Sequence, residues 1–431
     1  MKLKPVAEIR DPVHGYIKLT EVERDLIDSP FVQRLRRVHQ LAGAYLVYPG
    51  AVHSRFEHVV GAMHLAGQMG ESLARTSRIS ADEIQEMRIA ALLHDVGHGP
   101  FSHTYEEVLA ENSATTHEDI SQRIISETSV SDVLAKHGFS SKKISSFAVG
   151  KQTKLPPFMN EVVAGSVSAD MMDYLPRDSY FTGVEYGTVD VQRVIDSLYV
   201  VEDSLAIDEA ALYAFEALLL ARYEMFKAVY FHRTVRAAEL MLVHSMSLAD
   251  PTLKLTDLGN LEDYLELTDE IVLQRLATLK GNSPGLREAK RLGLAFRNRR
   301  LVKCVFEKFV QRKDSVFEQL FANEKIRDQV TAELASSAGV DPMLIYLDVP
   351  TTPSLPNTYS REALTSVRLL KTEGRKRVAR TLPLSELPLV WSIAGFMDLL
   401  RVYTTAENRR AVEGATAKVF LDRRYISDIA V

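Results

Sequence analysis

The sequence is short of several features that mark common protein classes. Its 431 residues include one cysteine, Cys304, so no disulfide can form within the chain and a reducing compartment is favoured. The low numbers of chain breakers, 21 glycines and 16 prolines, favour a helix-rich architecture. No uncharged apolar run reaches the roughly 18 residues that a membrane span needs. The start of the chain lacks the apolar segment of a secretory signal, so we predict a cytoplasmic protein that does not engage a membrane.

An excess of positive charge is also absent. The chain has 52 Lys and Arg against 57 Asp and Glu, a net charge of −5, which argues against a dedicated nucleic-acid binder and leaves nucleic acid as a permitted but not favoured partner. The charge is uneven, since residues 287–313 hold ten basic and two acidic residues, and residues 361–380 hold seven and two. Each tract predicts either a local anion site or a solvated helix face.

Length and composition predict two or three globular domains with a large core, since 46% of the residues are hydrophobic. We predict a mainly α fold, with one domain over residues 1–250 and a smaller mixed α/β C-terminal lobe over residues 251–431. The lobe is expected to serve oligomerisation or effector binding. Short β-hairpins are predicted within the first twenty residues and near residues 198–207, where apolar pairs flank polar turns.

Four further stretches have a readable pattern. Residues 138–160 are polar and carry two adjacent prolines, which predicts a loop or lid, and apolar runs predict strands at Met343–Val349 and Lys418–Leu421. Residues 209–247 are predicted to be helical, and one stripe of this helix carries Arg222, Arg233 and Arg236. Buried guanidinium groups need anions, so that stripe predicts an anion site. A rival stripe of Ala, Leu, Met and Val is an equal candidate for the core face.

Histidine is concentrated in one region. Seven of the twelve histidines lie between His53 and His117. Helices are predicted to begin near Arg55 and after Ser80, Ser102 and Thr116. Imidazole is both the commonest transition-metal ligand and the commonest general acid or base, so these helices form a candidate catalytic region.

The centre of this region is His94-Asp95, which follows a run of apolar residues. An Asp in that position needs a partner, and a metal ion satisfies a His and an Asp together. His58 and Asp170 are candidate further ligands, and mixed nitrogen and oxygen ligands suit Mn, Fe, Zn, Ni or Mg. The alternative is that these are ordinary hydrogen-bonded core residues. The histidines left over for proton transfer are His98, His103 and His117, and the carboxylates able to orient an imidazole are Glu106 and Glu118. The remaining histidines of the N-terminal part are interpreted as structural: His14, His39, His53 and His64.

Longer strings around these residues resemble the HD-domain phosphohydrolases, in the branch that holds the dNTP triphosphohydrolases. The strings are Asp11-Pro12-Val13-His14-Gly15, Ser54-Arg55-Phe56-Glu57-His58, Leu93-His94-Asp95-Val96-Gly97-His98-Gly99-Pro100-Phe101-Ser102-His103 and Asp173-Tyr174-Leu175-Pro176-Arg177-Asp178. The resemblance covers residues 8–245 well and 285–305 weakly. One member of this branch carries a SAM domain ahead of its HD domain, and we expect no SAM domain here.

The resemblance implies a role for each matching side chain. The metal would be held by His58, His94, Asp95 and Asp170, and the catalytic histidines would be His98, His103 and His117. The deoxynucleotide would contact Gln40, Leu41, Arg55, Tyr174, Asp178, Arg222 and Tyr230. A nucleotide effector would be read by Asp28, Gln33 and Arg36, with Arg299 and Lys303 on its phosphates. Two residues depart from the pattern: Met171 replaces a phosphate-binding lysine, and Glu106 replaces an aspartate.

The resemblance implies an HD-domain helical core and metal-dependent hydrolysis of deoxynucleoside triphosphates to deoxynucleoside and tripolyphosphate. It also implies a homo-oligomer, a dimer or a tetramer, activated by a guanine nucleotide such as GTP or dGTP. Two alternatives stay open. One is an HD-type phosphatase that acts on nucleoside monophosphates or other phosphoesters. The other is a regulatory HD protein that senses nucleotides or binds nucleic acid.

Overall fold

The computed structural model describes residues 3–113, 115–310, 321, 323–349, 366–373, 376–387, 389 and 398–421. The described chain is mainly helical, as predicted. The helices are α1 Glu21–Ile27, α2 Pro30–Arg34, α3 Arg55–Leu73, α4 Ala81–Leu93, α5 His103–Asn112, α6 His117–Glu127, α7 Ser129–Lys136, α8 Ser141–Ala148, α9 Pro157–Ala164, α10 Ala169–Thr182, α11 Val191–Asp196, α12 Leu212–Met225, α13 Arg233–Leu253, α14 Leu261–Tyr264, α15 Asp269–Ala277, α16 Pro284–Arg297, α17 Glu324–Ala338 and α18 Arg409–Leu421.

The strands form three small sheets. They are β1 Ala7–Asp11, β2 Gly15–Leu19, β3 Leu198–Val201, β4 Ser204–Asp208, β5 Lys303–Val310, β6 Ile345–Asp348, β7 Ser366–Glu373, β8 Lys376–Pro383 and β9 Asp398–Thr404. Strands β1 and β2 form the hairpin predicted at the start of the chain, and β3 and β4 form the second predicted hairpin. The other sheets have the strand orders β3-β4-β7-β8 and β5-β9-β6.

Helix α3 is the central element of the core. Phe56 and Val59 pack in an apolar cluster with residues of α1, α4 and α13, whereas Leu65 and Met69 pack in a second cluster with residues of α9, α10 and α12. Because both sides of α3 are covered, its polar residue His58 is fully buried as well. A buried imidazole needs partners, and the fold supplies them from α10.

The predicted helix starts are confirmed, and capping explains them. Capping boxes at the starts of α3, α4 and α6 pair Ser54 with Glu57, Ser80 with Glu83, and Thr116 with Asp119. Helix α5 begins differently. It follows two non-glycine residues in the left-handed region, Phe101 at φ 60° and Ser102 at φ 55°. Such a conformation is costly and indicates that the surrounding structure holds this turn.

Three secondary-structure predictions need correction. Residues 138–160 include α8 and the start of α9, because Ser140 caps α8 and Pro157 suits the first turn of a helix. Residues Lys418–Leu421 lie in α18 and do not form a strand. The helix predicted over residues 209–247 is interrupted, since a π-helical turn at Phe226–Tyr230 separates α12 from α13.

The C-terminal part joins the helical core through strands. Strand β4 pairs in parallel with β7, where Ile207 lies opposite Leu369, and β6 lies within the predicted strand Met343–Val349. The boundary expected near residue 250 falls inside α13, so the division into 1–250 and 251–431 stays a prediction. Parts of both basic tracts, including residues 311–313 and 361–365, lie outside the described residues. Within the described chain, none of the helices has the length and apolarity needed to cross a bilayer.

Candidate metal centre and active site

Four side chains from three separate helices meet at one point. His58 lies one turn into α3, His94 and Asp95 directly follow α4, and Asp170 is the second residue of α10. Nε2 of His58 lies 3.1 Å from Oδ1 of Asp170 and 3.6 Å from Oδ2 of Asp95. Nε2 of His94 lies 3.3 Å from Oδ1 of Asp95 and 3.7 Å from Oδ1 of Asp170. The structure therefore brings together the four residues predicted to hold a metal, which we call the ligand cluster.

The atoms that face one another in the ligand cluster behave as metal ligands. The Nε2 atoms of His58 and His94 are buried and form no hydrogen bond to any described residue, although carboxylate oxygens lie beside them. The other ring nitrogens are fixed, with Nδ1 of His58 2.8 Å from Asp173 and Nδ1 of His94 2.8 Å from the carbonyl oxygen of Ala91. Two oriented imidazoles and two carboxylates with open positions between them fit a divalent cation.

The charge of the ligand cluster also favours a cation. Burial alone lowers the pKa of His58, but Asp170 and Asp173 outweigh burial and raise this pKa to about 10. Burial raises the pKa of Asp170, whereas His58 and His94 hold it below its ordinary value. A proton on His58 and a divalent cation neutralise the same excess of negative charge, so binding of the cation releases the proton.

A second layer of charged residues lies behind the ligand cluster. We call this the backing layer; it consists of Asp11, His14, Asp173 and Arg177. Asp173 accepts hydrogen bonds from Nε and Nη2 of Arg177, both at 2.9 Å, and its Oδ1 lies 2.6 Å from Nε2 of His14. Arg177 also donates from Nη1 to Asp11 at 2.8 Å. Gly61 permits this close packing, since a Cβ there would lie 1.9 Å from Oδ1 of Asp173.

Sequence reasoning missed the backing layer. It interpreted His14 as structural and gave Asp173 and Arg177 no role, although both lie in a string that carried the family resemblance. One signal was available, because Asp173 and Arg177 stand four positions apart, where opposite charges pair on a helix. The contact of Asp173 with His58 joins α10 to α3 and is visible only in the folded chain.

The three predicted catalytic histidines gather around Glu106. The rings of His98 and His117 stack with their centroids 4.0 Å apart, and Nε2 of His98 lies 3.4 Å from Oδ1 of Asp95 in the ligand cluster. Oε2 of Glu106 lies 2.6 Å from Nδ1 of His103, and its Oε1 forms a short hydrogen bond with Nδ1 of His117. One carboxylate thus orients two imidazoles beside the ligand cluster.

These imidazoles differ in the protonation that they favour. Burial, together with the neighbouring Arg55 and His117, holds the pKa of His98 well below its ordinary value. Burial also lowers the pKa of His117, but the hydrogen bond to Glu106 outweighs it and raises the pKa. His98 is therefore neutral, whereas His117 carries a proton more readily.

Two arginines present unused donors to the site. Arg55 donates from Nε to the Ser102 hydroxyl at 2.9 Å and from Nη1 to Asp95 at 2.5 Å, while its buried Nη2 has no hydrogen-bond partner among the described residues. Arg222 donates from Nη1 to the Tyr174 hydroxyl, and its buried Nε lacks a described partner. Spare guanidinium N–H groups next to a metal site are suited to phosphate oxygens.

The residues predicted to hold the sugar form a connected group. Asp178 accepts a hydrogen bond from the Tyr230 hydroxyl at 2.6 Å and lies 2.8 Å from Nε2 of His53. The backbone N–H of Gln40 bonds the His53 carbonyl at 3.0 Å, and Oε1 of Gln40 is buried without a described partner. Leu41 is half-buried next to an apolar cluster. His53, interpreted as structural from sequence, links Gln40 to Asp178.

Two predicted features lie apart from this group. Glu118, one of the two carboxylates considered for orienting an imidazole, contacts Nζ of Lys151 at 2.8 Å, so Glu106 takes that role alone. Met171, which stands where the family pattern has a lysine, is buried in an apolar cluster and brings no charge to the site.

The arginine stripe predicted on one helix divides in the structure. The π-helical turn interrupts the stripe, so only Arg222 reaches the site. Arg236 is bound instead by Asp348 at 2.9 Å and Glu239 at 2.8 Å, and Arg233 is exposed at the start of α13.

The predicted effector residues occupy two places. Arg36 donates to Oε1 of Gln33 at 2.9 Å and covers the ring of Phe56, and Asp28 is exposed nearby in sequence. Arg299 donates to the carbonyl oxygen of Leu46 at 2.8 Å, and Lys303 is exposed at the first position of β5. An effector site that combines these residues across subunits stays a prediction.

Comparison with protein families identifies two regions. The HD domain matches residues 55–157, and the HD associated region matches residues 189–424. The first match includes His58, His94 and Asp95 of the ligand cluster, together with the histidines around Glu106. The second covers more than half of the chain and includes Arg222, Tyr230 and the C-terminal sheets.

Individual relatives agree with these matches. The chain is 31% identical over 390 residues to the uncharacterized protein YwfO of Bacillus subtilis, covering 85% of this chain and 84% of that protein. It is 34% identical over 316 residues to the deoxynucleoside triphosphate triphosphohydrolase SAMHD1 homolog of Dictyostelium discoideum, covering 69% of this chain but only 60% of that protein. A solved structure of a hypothetical protein from Aquifex aeolicus shares 29% identity and a TM-score of 0.75, covering 95% of this chain and 99% of the other.

Proposed function

Since this chain belongs to the HD-domain phosphohydrolase family, we propose that it hydrolyses deoxynucleoside triphosphates to a deoxynucleoside and tripolyphosphate. The substrate class is supported by the likeness to the Dictyostelium protein, which is named for that activity. The residues of this chain support it independently, because spare arginine donors lie beside the ligand cluster and the sugar-binding candidates Gln40, Asp178 and Tyr230 form a connected polar group through His53.

One observation carries most of the proposal. Ten buried side-chain nitrogen and oxygen atoms in the described chain lack a hydrogen-bond partner, and seven of them belong to predicted site residues. Those residues are Gln40, Arg55, His58, His94, His98 and Arg222. Buried polar atoms are nearly always paired in folded proteins, so a concentration of unpaired ones indicates groups that await a ligand. The set combines donors for phosphate, ligands for a metal and an acceptor for a hydroxyl.

The metal-binding role falls to the ligand cluster. His58, His94, Asp95 and Asp170 would hold a divalent ion such as Mn, Fe, Zn, Ni or Mg, which supplies Lewis acidity toward a phosphate oxygen and favours ionisation of water at neutral pH. The backing layer keeps the His58 ring in the orientation that this requires.

Arg55 and Arg222 would hold the phosphates. Nη2 of Arg55 and Nε of Arg222 are the spare donors, and both guanidinium groups are already fixed by their other hydrogen bonds. Donors that are oriented before the reaction stabilise developing negative charge without reorganising. Because the Met171 side chain carries no positive charge, the triphosphate would be bound through Arg55 and Arg222.

The proton for the leaving 5′-oxygen would come from the histidines that Glu106 orients. When Nδ1 of His103 or His117 donates to Glu106, the Nε2–H of the same protonated ring is free to donate to the leaving group. His103 has a side chain 70% exposed, so it is accessible to a bound substrate. His98 is neutral and would accept rather than donate a proton.

The sugar would lie against Asp178 and Gln40, with Leu41 and Tyr230 beside its C2′ position. The Tyr230 hydroxyl is anchored on Asp178, so its ring cannot easily swing away from a ribose 2′-hydroxyl. The site is therefore expected to prefer deoxynucleotides to ribonucleotides.

Activation by GTP or dGTP is proposed for Asp28, Gln33 and Arg36 with Arg299 and Lys303 of another subunit. The domain spanning residues 1–250 would carry the chemistry, and residues 251–431 would support a homo-oligomer, a dimer or a tetramer. Replacement of Arg36 by Ala should remove stimulation by GTP, which is measured as the ratio of rates with and without the effector.

Product analysis tests the proposed reaction. The full chain is incubated separately with the four dNTPs, the four rNTPs and the nucleoside monophosphates in the presence of Mg, Mn or Co, and the products are resolved by ion chromatography. We expect tripolyphosphate and deoxynucleoside from the dNTPs and less product from the rNTPs. Release of orthophosphate alone, or hydrolysis confined to nucleoside monophosphates, would contradict the proposal and favour the phosphatase alternative.

A further inference from the structure

A segment beyond α13 runs along the turn that carries the catalytic histidines. We call residues 255–269 the clasp, and residues 97–105 the catalytic turn. The buried hydroxyl of Tyr264 donates to the carbonyl oxygen of Gly97 at 2.8 Å, and the buried hydroxyl of Tyr105 donates to the carbonyl oxygen of Leu255 at 2.6 Å. The clasp is thus bonded to both ends of the catalytic turn.

A fully buried arginine adds a third connection. Arg34 donates from Nη1 to the carbonyl oxygen of His98 at 2.7 Å, and from Nε and Nη2 to the carbonyl oxygen of Leu267 at 3.1 Å and 2.6 Å. Its guanidinium group stacks on the ring of Tyr264 at 4.3 Å. One cation therefore ties the backbone of His98 to the backbone of the clasp.

The most specific contact comes from Asp269, the last residue of the clasp. Its Oδ1 accepts from the backbone N–H of Phe101 at 2.6 Å, and its Oδ2 accepts from the backbone N–H of His39 at 2.9 Å. The same Oδ2 lies 2.7 Å from Nδ1 of His39. Phe101 is the first of the two residues in the left-handed region, so the carboxylate holds a strained turn in place.

The bonds of Asp269 connect two sets of proposed substrate-binding residues, one next to His39 and the other next to Phe101. His39 precedes Gln40 and Leu41, and its carbonyl oxygen accepts from the Ser102 hydroxyl at 2.6 Å. The Ser102 oxygen in turn accepts from Nε of Arg55 at 2.9 Å, and His103 follows directly in the chain. A shift of Phe101 relative to His39 would therefore move the phosphate-binding and proton-donating groups with respect to the sugar-binding loop.

We propose that Asp269 is a positioning residue that locks the loop at residues 39–41 to the catalytic turn, so that both face one substrate. This inference rests on the proposed function for the identity of the substrate. It assigns to the C-terminal region a direct part in the geometry of the site, because the carboxylate belongs to the region beyond α13 while the groups that it aligns belong to the helical core.

The substitution Asp269→Asn tests this proposal with little change of volume. One of the two oxygens becomes an NH₂ group, which must then face the N–H of Phe101 or of His39. We expect kcat for dNTP hydrolysis to fall about tenfold or more while KM changes less than about threefold, because misplacement affects the reaction more than binding. Bound metal, measured by elemental analysis, should stay at the wild-type level.

Hydrogen–deuterium exchange supplies a readout that needs no substrate. Peptides that cover residues 97–105 and 39–41 should exchange faster in Asp269→Asn, whereas peptides of α3 and α10 should not. The matched control is Asp263→Asn, which makes the same change of charge at an exposed position of the clasp. Unchanged exchange in the catalytic turn, or unchanged kcat despite faster exchange, would overturn the positioning role.

A second variant keeps the test decisive if Asp269→Asn fails to fold. Asp269→Glu keeps both carboxylate oxygens but displaces them by one methylene group, and it should give the same two effects at smaller size; wild-type exchange and kcat in this variant would contradict the proposal. If the wild-type chain hydrolyses no dNTP, the proposed function fails on its own. Exchange, together with turnover of p-nitrophenyl phosphate, then still decides whether Asp269 positions the catalytic turn.

Discussion

The ligand cluster and the backing layer are both buried and both charged, but they differ in how completely their polar atoms are bonded. In the backing layer, the Asp173 carboxylate pairs with the side chains of Arg177, His14 and His58, and Arg177 also pairs with Asp11. In the ligand cluster, the imidazole nitrogens that face one another have no hydrogen-bond partner among the described residues. This arrangement is expected of a metal site: a layer whose polar atoms are fully hydrogen-bonded fixes the orientation of side chains whose facing atoms are left to bind an ion.

The largest predicted loss of metal binding and activity follows from removing half of the ligand cluster. In the double variant His94→Ala with Asp95→Ala, we expect metal content and dNTP hydrolysis to be lost together, with kcat/KM reduced by about 10³-fold or more. Elemental analysis and product chromatography measure the two losses. His137→Ala, which removes an imidazole paired with Asp25 elsewhere, serves as the control. Full turnover in the double variant would refute the assignment of the ligand cluster.

Glu106→Gln should separate proton transfer from metal binding. We expect kcat to fall about 10²-fold with bound metal unchanged, because the carboxylate that orients His103 and His117 is lost. Glu106 raises the pKa of His117, so its loss lowers that pKa and the decline of rate at alkaline pH should begin at lower pH. A pH–rate profile measures this shift. Glu107→Gln, one position further along α5, should leave the profile in place.

Weakening the backing layer should affect both layers moderately. In Asp173→Asn, His58 and Arg177 lose their shared carboxylate, so we expect metal affinity to fall about 10- to 100-fold. The free energy of unfolding should fall by about 3 kcal/mol, because the buried guanidinium of Arg177 loses one of its two counter-charges. Metal titration and urea unfolding measure these effects. Wild-type metal affinity would show that the backing layer does not orient the ligand cluster.

The smallest predicted effect is on the pH dependence of stability, and it comes from Glu239, a carboxyl group outside both layers. Burial raises the pKa of Glu239 to about 7, even though Arg236 opposes the shift. The folded chain therefore binds a proton that the unfolded chain releases at lower pH, and this stabilisation is lost as pH rises through about 7. Glu239→Gln should flatten the pH dependence of the free energy of unfolding between about pH 5 and 8 by about 1–3 kcal/mol. Urea unfolding at both pH values tests this, with Glu270→Gln as an exposed control.

Most of the ligand cluster could be predicted from sequence because His58, His94 and Asp95 lie within long, specific strings, while Asp170 lies three residues before another. The starts of α3 and α4 could also be predicted, since their caps are local features of Ser54 and Ser80. The backing layer could not, because the bond between His58 and Asp173 joins two helices whose relative placement no local pattern encodes. The same holds for Arg34 and Asp269, whose hydrogen-bond partners are mostly backbone groups and lie far away in the sequence.

The corrections have local causes. Residues 138–160 were predicted as a loop because they are polar, but Ile144 and Phe147 form a buried face and Ser140 caps the helix. At Lys418–Leu421, the short apolar run is the end of a helix that begins at Arg409, so a window of four residues was too short to reveal its period. The break at Phe226–Tyr230 depends on tertiary contacts, including the bond of Tyr230 to Asp178.

The parallel pairing of β4 with β7 has a consequence for how the chain is made. When β4 has left a ribosome, β7 has yet to be synthesised, because Ile207 is paired with Leu369 far downstream. Until then the hairpin of β3 and β4 has an open edge, and exposed edges of this kind recruit other strands. Nascent chains of this protein therefore pass through a period of vulnerability to aggregation that ends only when the C-terminal strands emerge.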